Sequence, residues 1–100
     1  MSLPLIITPE AEEDLADAKS WYEGKRKGLG EQFILCVEAA FDHIGRFPAA
    51  AQEVYPGVRR LVIKQFPYGV FYRLDQEQIA VLAVYHSKRD PRGWQERASM

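Results

Sequence analysis

The segment Ile79-Ala80-Val81-Leu82-Ala83-Val84-Tyr85 runs straight into His86-Ser87-Lys88-Arg89-Asp90-Pro91-Arg92-Gly93-Trp94. An unbroken apolar run of this length reads as a buried strand. At its open end it delivers an imidazole and three cations, which is a way to build a site for an anionic ligand. Segments leaving strand ends are where binding groups tend to sit. Pro91 cannot donate a ladder hydrogen bond, so the strand should stop near Asp90.

Working back from that strand, Val70–Leu74 and Val58–Gln65 read as its antiparallel neighbours. Asp75-Gln76-Glu77 forms one connection, and the turn-like Phe66-Pro67-Tyr68-Gly69 the other. Before them lie a Pro56-Gly57 turn and a short strand at Gln52–Tyr55. Two helices precede this meander. The first opens at Thr8 or Pro9, carries Glu10, Glu12, Glu13 and Asp14 where carboxylates suit the positive end of the macrodipole, and ends near Gly24. Its apolar residues Ala11, Leu15, Ala18, Trp21 and Tyr22 recur at helical spacing and should pack the hairpin onto the sheet. The second runs from about Leu29 to Phe47 on a stripe of Phe33, Val37, Ala40, Phe41 and Ile44, and Pro48 stops it. The short link between them predicts an antiparallel hairpin. Leu3 to Thr8 reads as a strand at a sheet edge or start, and Pro91–Ala98 as a short terminal helix anchored by Trp94.

Composition bounds what such a chain can be. One hundred residues with 47% hydrophobic content fit one α+β domain over 1–100, able to bury roughly 65% of its extended surface. The near-neutral net charge hides an asymmetry: five Lys/Arg against nine Asp/Glu in residues 1–50, and eight against five in residues 51–100. That permits two different binding surfaces, though ordinary scatter gives the same counts. Cys36 is the single cysteine. It excludes an intrachain disulfide, agrees with a reducing compartment, and reads as a packed thiol between Ile34, Leu35 and Val37. No apolar run approaches the ~20 residues needed to span a bilayer, and no signal peptide is evident. A cytoplasmic location is expected.

The chemistry-bearing residues are few. Arg59, Arg60, Lys64, Arg73 and Arg89 lie on neighbouring strands or their ends, and alternation should point Arg60, Val62 and Lys64 the same way. Such a cluster could grip phosphates or an acidic partner segment; equally, cations can guard a solvated sheet edge. His86 could shuttle protons, but a lone histidine at a strand end more often packs or hydrogen-bonds. Asp90 suits a turn. One cysteine and two distant histidines make no zinc site, so no metal or other cofactor is expected. There is no phosphate loop and no nucleophile elbow.

Taken in order, the segments resemble the RelE/ParE superfamily of bacterial toxin–antitoxin modules, often labelled plasmid stabilisation proteins. The resemblance rests on Ala11-x-x-Asp14-Leu15, Trp21-Tyr22, Phe33 and Phe47-Pro48. It continues through Val58-Arg59-Arg60-Leu61, Phe66-Pro67-Tyr68-Gly69-Val70-Phe71-Tyr72 and the strand at Ile79–Val84. It ends with His86-Ser87-Lys88-Arg89-Asp90-Pro91 and Trp94-Gln95-Glu96-Arg97. It implies a β-α-α-β-β-β fold, a helical hairpin on a small, mainly antiparallel sheet.

RelE-like members cut messenger RNA on the ribosome with basic residues that stabilise the charged transition state. Carried over, Arg60 and Arg89 keep basic positions, while two others fall on Val62 and Gly69, and the tyrosine of some members falls near Gln95. His86 could then serve as base. ParE-like members resemble this chain better; they poison DNA gyrase by binding and need a surface, not a nucleophile. The family also implies an antitoxin that orders as it wraps the toxin into a hetero-oligomer. The groove between hairpin and sheet is the expected dock, with Arg59, Arg60, Lys64, Arg73 and Arg89 as candidate partner-binding cations. The resemblance thus implies a gyrase-directed toxin first, a ribosome-dependent endoribonuclease using Arg60, Arg89 and His86 second, and a non-toxic partner-binding protein third.

Overall fold

Thr8 starts the helical hairpin and ties it to the sheet with one side chain. Its hydroxyl accepts the Ala11 N–H at 3.2 Å, capping the helix Pro9–Lys25 (α1), and donates to the Val81 carbonyl at 2.9 Å. Pro9 at the first helical position gives up only an N–H that the helix leaves unpaired. In this computed structural model, which describes residues 3–99, α1 returns through a tight link to the helix Leu29–Arg46 (α2).

The link needs glycine twice. Gly28 sits at φ 89° as the α2 N-cap, a backbone region costly for other residues. A Cβ on Gly30 would lie 2.6 Å from the Lys19 carbonyl, so the helices can approach this closely only without a side chain there. Gly28 offers no capping side chain, and Glu23 of α1 substitutes for it. Its carboxylate accepts the Gly28 and Gly30 N–H groups at 2.9 Å each, and these bonds hold its pKa below the usual carboxylate range. A folded-state pKa below the unfolded one means stability that is present above the ordinary glutamate range and lost as pH falls through the depressed value. Glu23→Ala should therefore lower Tm at neutral pH, and the gap to wild type should close on acidification. A gap independent of pH in thermal melts would contradict this assignment.

Five strands form one mixed sheet in the order β1-β5-β4-β3-β2. They are Leu5–Ile7 (β1), Gln52–Tyr55 (β2), Val58–Val62 (β3), Tyr68–Leu74 (β4) and Ile79–His86 (β5). The helix Arg92–Ala98 (α3) closes the chain. β1 lies parallel to β5, and every other pairing is antiparallel. The expected hairpin, meander and terminal helix are all present, and the short strand at Gln52–Tyr55 falls where its residues place it. Several boundaries differ. β1 spans only Leu5–Ile7 of the expected Leu3 to Thr8. Tyr68 and Gly69 belong to β4, not to a turn. β3 ends at Val62, and Gln65 turns the chain through φ 70°, so Lys64 lies in a bend rather than on the strand.

Both faces of the sheet are covered, by different elements. α1 and α2 pack Tyr22, Phe33, Val37 and Ile44 onto Val70, Tyr72, Ile79, Val81 and Val84. On the opposite face α3 lays Trp94 and Ala98 against Val58, Phe71, Ala83 and Tyr85. The Trp94 and Phe71 rings stack at 4.3 Å, which is the anchoring role expected of Trp94. Trp21 departs from expectation. It is 57% exposed, with Lys25 Nζ 4.7 Å above its ring, whereas Tyr22 alone enters the core. One helical position is a rotation of about 100°, enough to carry Trp21 off the buried stripe.

Candidate partner-binding clefts

β1 covers only the first part of β5, from Ile79 to Val81. Beyond it, side chains replace the missing strand. Arg97 of α3 reaches over the edge to donate to the Leu82 carbonyl at 3.0 Å. Asp14 of α1 accepts the Val84 N–H at 3.0 Å. The two meet in a bidentate pair at 2.7 and 3.1 Å, which raises the Arg97 pKa further. Asp14 is 7% exposed, so this pair is a buried clamp joining both helical layers across the sheet edge.

Past the clamp, β5 ends at a basic cleft of about 390 Å³ on the α3 face, lined by Arg60, Tyr85, His86, Arg89, Pro91 and Trp94 among others. Among the described residues no Asp or Glu lines it. The Arg60 stem lies flat across β4 because position 69 is glycine: a Cβ there would meet Arg60 Cγ at 3.0 Å. The Arg89 guanidinium rests over the Tyr85 ring at 4.0 Å, a cation–π contact, and stands 4.0 Å from Asp14 Oδ1. His86 Nδ1 accepts the Lys88 N–H at 3.0 Å, so the neutral ring carries its proton on Nε2. Its ring meets Tyr68 edge-on at 5.2 Å. Burial raises the Tyr68 pKa above the ordinary phenol value.

A larger, more apolar groove of about 540 Å³ lies between α2 and the outer edge of β3. Leu35, Cys36, Ala39 and His43 form its helical wall; Leu61 to Gln65 form the other. Leu35 and Val62 are 64% and 60% exposed. Apolar exposure gathered in a concave site marks an interaction surface more than scattered single residues do. Among the described residues no group of three or more His, Cys, Asp or Glu could hold a metal ion, and no helix is long and apolar enough to cross a membrane.

The model of the family described as "ParE toxin of type II toxin-antitoxin system, parDE" matches residues 5–91. This chain belongs to the ParE toxin family. Two curated proteins, each named Toxin ParE2 and from two strains of Mycobacterium tuberculosis, are 29% identical to it over 92 residues. The match covers 91% of this chain and 88% of theirs. A solved structure titled "Chromosomal ParDE TA system from P. aeruginosa" superposes with a TM-score of 0.76 at 18% identity. It covers 84% of this chain and 95% of that one, which extends the likeness to the fold.

In this ParE-family toxin the five candidate cations do not share one surface. Arg60 and Arg89 line the basic cleft together, with His86 beside them. Lys64 does not point with Arg60, contrary to strand alternation. The strand has ended by then, and Lys64 turns into the apolar groove. Arg59 faces the hairpin side and donates to the Ala49 and Ala51 carbonyls at 3.1 and 2.7 Å, fastening the connection into β2. Arg73 donates to the Ala98 carbonyl at the end of α3. Asp90 takes its expected turn role, accepting the Arg92 N–H at 2.9 Å. Cys36 is half-buried in the groove wall.

The Asp14–Arg97 clamp was not foreseen, because Asp14 reads as one more acid at a helix start. A signal did exist. Asp14 falls three residues after Ala11 and four before Ala18, inside the apolar stripe, where an unpaired carboxylate would be costly.

Proposed function

We propose that this ParE-family toxin acts by binding rather than by chemistry of its own. It inhibits DNA gyrase, a cognate antitoxin neutralises it in a hetero-oligomer, and both events take place in the cytoplasm. The observation that carries this reading is the open apolar groove between α2 and β3, with Leu35 and Val62 exposed along it. An interaction surface is what inhibition and neutralisation by binding require. Purified toxin should block gyrase supercoiling and trap cleaved DNA, and the protein encoded beside it should reverse both. Normal supercoiling at saturating toxin would defeat the proposal.

A second reading has one observation in its favour: Arg60, Arg89 and His86 do converge on one concave site. Two guanidiniums could stabilise a pentacoordinate phosphate, and His86 would supply a base through Nε2. Induction of the toxin in cells, with DNA damage and transcript ends read side by side, separates the readings. Defined new transcript ends, lost in the Arg60, His86, Arg89 triple alanine variant, would establish the endoribonuclease. Unimpaired growth with intact DNA and transcripts would leave a toxin-fold protein that only binds a partner.

A further inference from the structure

We infer that the chain carries a binding site for a guanine nucleotide, with the base held against Trp21 and Asp17 of α1 and the phosphate on Arg89 and Arg60. The site is separate from the apolar α2–β3 groove and independent of gyrase binding.

A further cleft of about 310 Å³ opens on the hairpin side of the end of β5. Asp14, Asp17, Trp21, Tyr68, His86 and Arg89 are among its lining residues. Tyr68, His86 and Arg89 also line the basic cleft on the α3 face, so the two concavities meet at these three side chains. The α1-side cleft is at the small end of the ~300–1,000 Å³ usual for ligand sites, which suits a single base rather than a peptide segment. It is amphoteric, with acids on its α1 wall and cations where it joins the basic cleft.

Several side chains there do little for the fold. Trp21 is largely exposed and adds little to the core. Lys25 stands over its ring at 4.7 Å but does not line the cleft, which leaves the cleft-side surface of the indole uncovered. Asp17 follows Asp14 by three residues and shares its side of α1. Both Asp14 oxygens are engaged, by Arg97 and the Val84 N–H. Asp17 makes no ion pair among the described residues, and neither does Arg60. For Arg89 the one ion pair among the described residues is the 4.0 Å approach to Asp14.

These groups select the ligand. An exposed indole stacks on any base. A carboxylate accepts two parallel hydrogen bonds from a matching pair of donors. Among the common bases only guanine places two adjacent donors, N1–H and the N2 amino group, on its Watson–Crick edge. Adenine turns the acceptor N1 toward such a carboxylate, cytosine turns N3, and uracil has a single donor between two carbonyls. The guanidiniums beyond the base can take the phosphate by forked contacts. Neutral His86, on the wall common to both clefts, adds an Nε2–H donor between them. A purely cationic ligand would be repelled by Arg89, and inorganic phosphate would leave Trp21 and Asp17 unused.

Calorimetry on the purified toxin, with tryptophan emission followed in parallel, tests this. Trp94 is buried against Phe71, so quenching by a stacked base reports Trp21. Guanosine monophosphate should bind saturably and quench, about tenfold more tightly than adenosine monophosphate. Inosine monophosphate keeps N1–H but lacks the amino group, and should fall between them. Guanosine without its phosphate should bind about tenfold more weakly than the monophosphate. Asp17→Asn, a change at an exposed position, should leave Tm unaltered and remove the preference for guanine over adenine. Arg89→Gln should lower the monophosphate to the affinity of guanosine, and Trp21→Ala should weaken every purine about tenfold. Equal affinities for the guanosine and adenosine monophosphates, a preference that survives Asp17→Asn, or no saturable binding would each overturn the inference. The tetranucleotide UUGU separates the sources of the base. Tighter binding than the monophosphate assigns a guanosine within a strand, weaker binding a free nucleotide, and both uphold the site.

Discussion

Asp14→Ala should cost about 3–5 kcal/mol of folding stability, the usual result of removing one partner from a buried ion pair. The loss has two parts. The Arg97 guanidinium loses both of its carboxylate bonds while still held at the Leu82 carbonyl, and the buried Val84 N–H loses its Asp14 acceptor. Against a total stability of about 5–15 kcal/mol for a domain, a loss of that size leaves much of the chain unfolded at growth temperature. Urea unfolding would show a lower midpoint with an unchanged slope. Pairing the change with Arg97→Met should recover part of the loss, because an unpaired cation is then no longer buried. A single variant within about 1 kcal/mol of wild type, in the range of surface pairs, would mean that water satisfies the clamp.

Phe33→Ala should be as damaging for a different reason. Phe33 is fully buried where the hairpin meets the sheet. Its ring lies 5.1 to 5.3 Å from those of Tyr22, Phe66 and Tyr68. Three aromatic neighbours cannot collapse into the space left behind, so the transfer and cavity terms add to about 3–5 kcal/mol. Phe33→Leu keeps most of the volume and should cost about 1–1.5 kcal/mol. Tyr68 also lines the basic cleft, so the leucine variant, still folded, reports whether the aromatic cluster positions His86. If it does, the His86 ring resonances shift without loss of the fold.

Much of this architecture is legible in the residues because local rules and tertiary structure agree. The Ile79–Tyr85 run has a length and polarity that suit only a central strand. Thr8-Pro9, Gly28 and Pro48 punctuate the hairpin where chain geometry demands it. The sites are less legible, because they depend on which way a side chain leaves an element's end. Lys64 lies only two residues past the last residue of β3, so alternation no longer governs it. Trp21 and Tyr22 both satisfy a loose helical count, and only packing decides between them. Arg59 and Arg73 resemble free cations in sequence, but each is bound to a carbonyl that no local pattern brings near. Asp14 and Arg97 lie 83 positions apart, and their pairing follows from the folded edge rather than from either neighbourhood. The convergence of Arg60, His86 and Arg89 was readable because strand pairing alone brings the end of β5 beside β4 and β3.

The parallel pairing of Leu5–Ile7 with Ile79–Val81, and the closure of the next stretch of edge by Arg97, order events during synthesis. A nascent chain can form its helical hairpin early, but the first strand has no neighbour until the fifth has left the ribosome. α3 must follow before that neighbour is sealed by Arg97. The edge is thereby finished only once Asp14 and Arg97, 83 positions apart, have both been made.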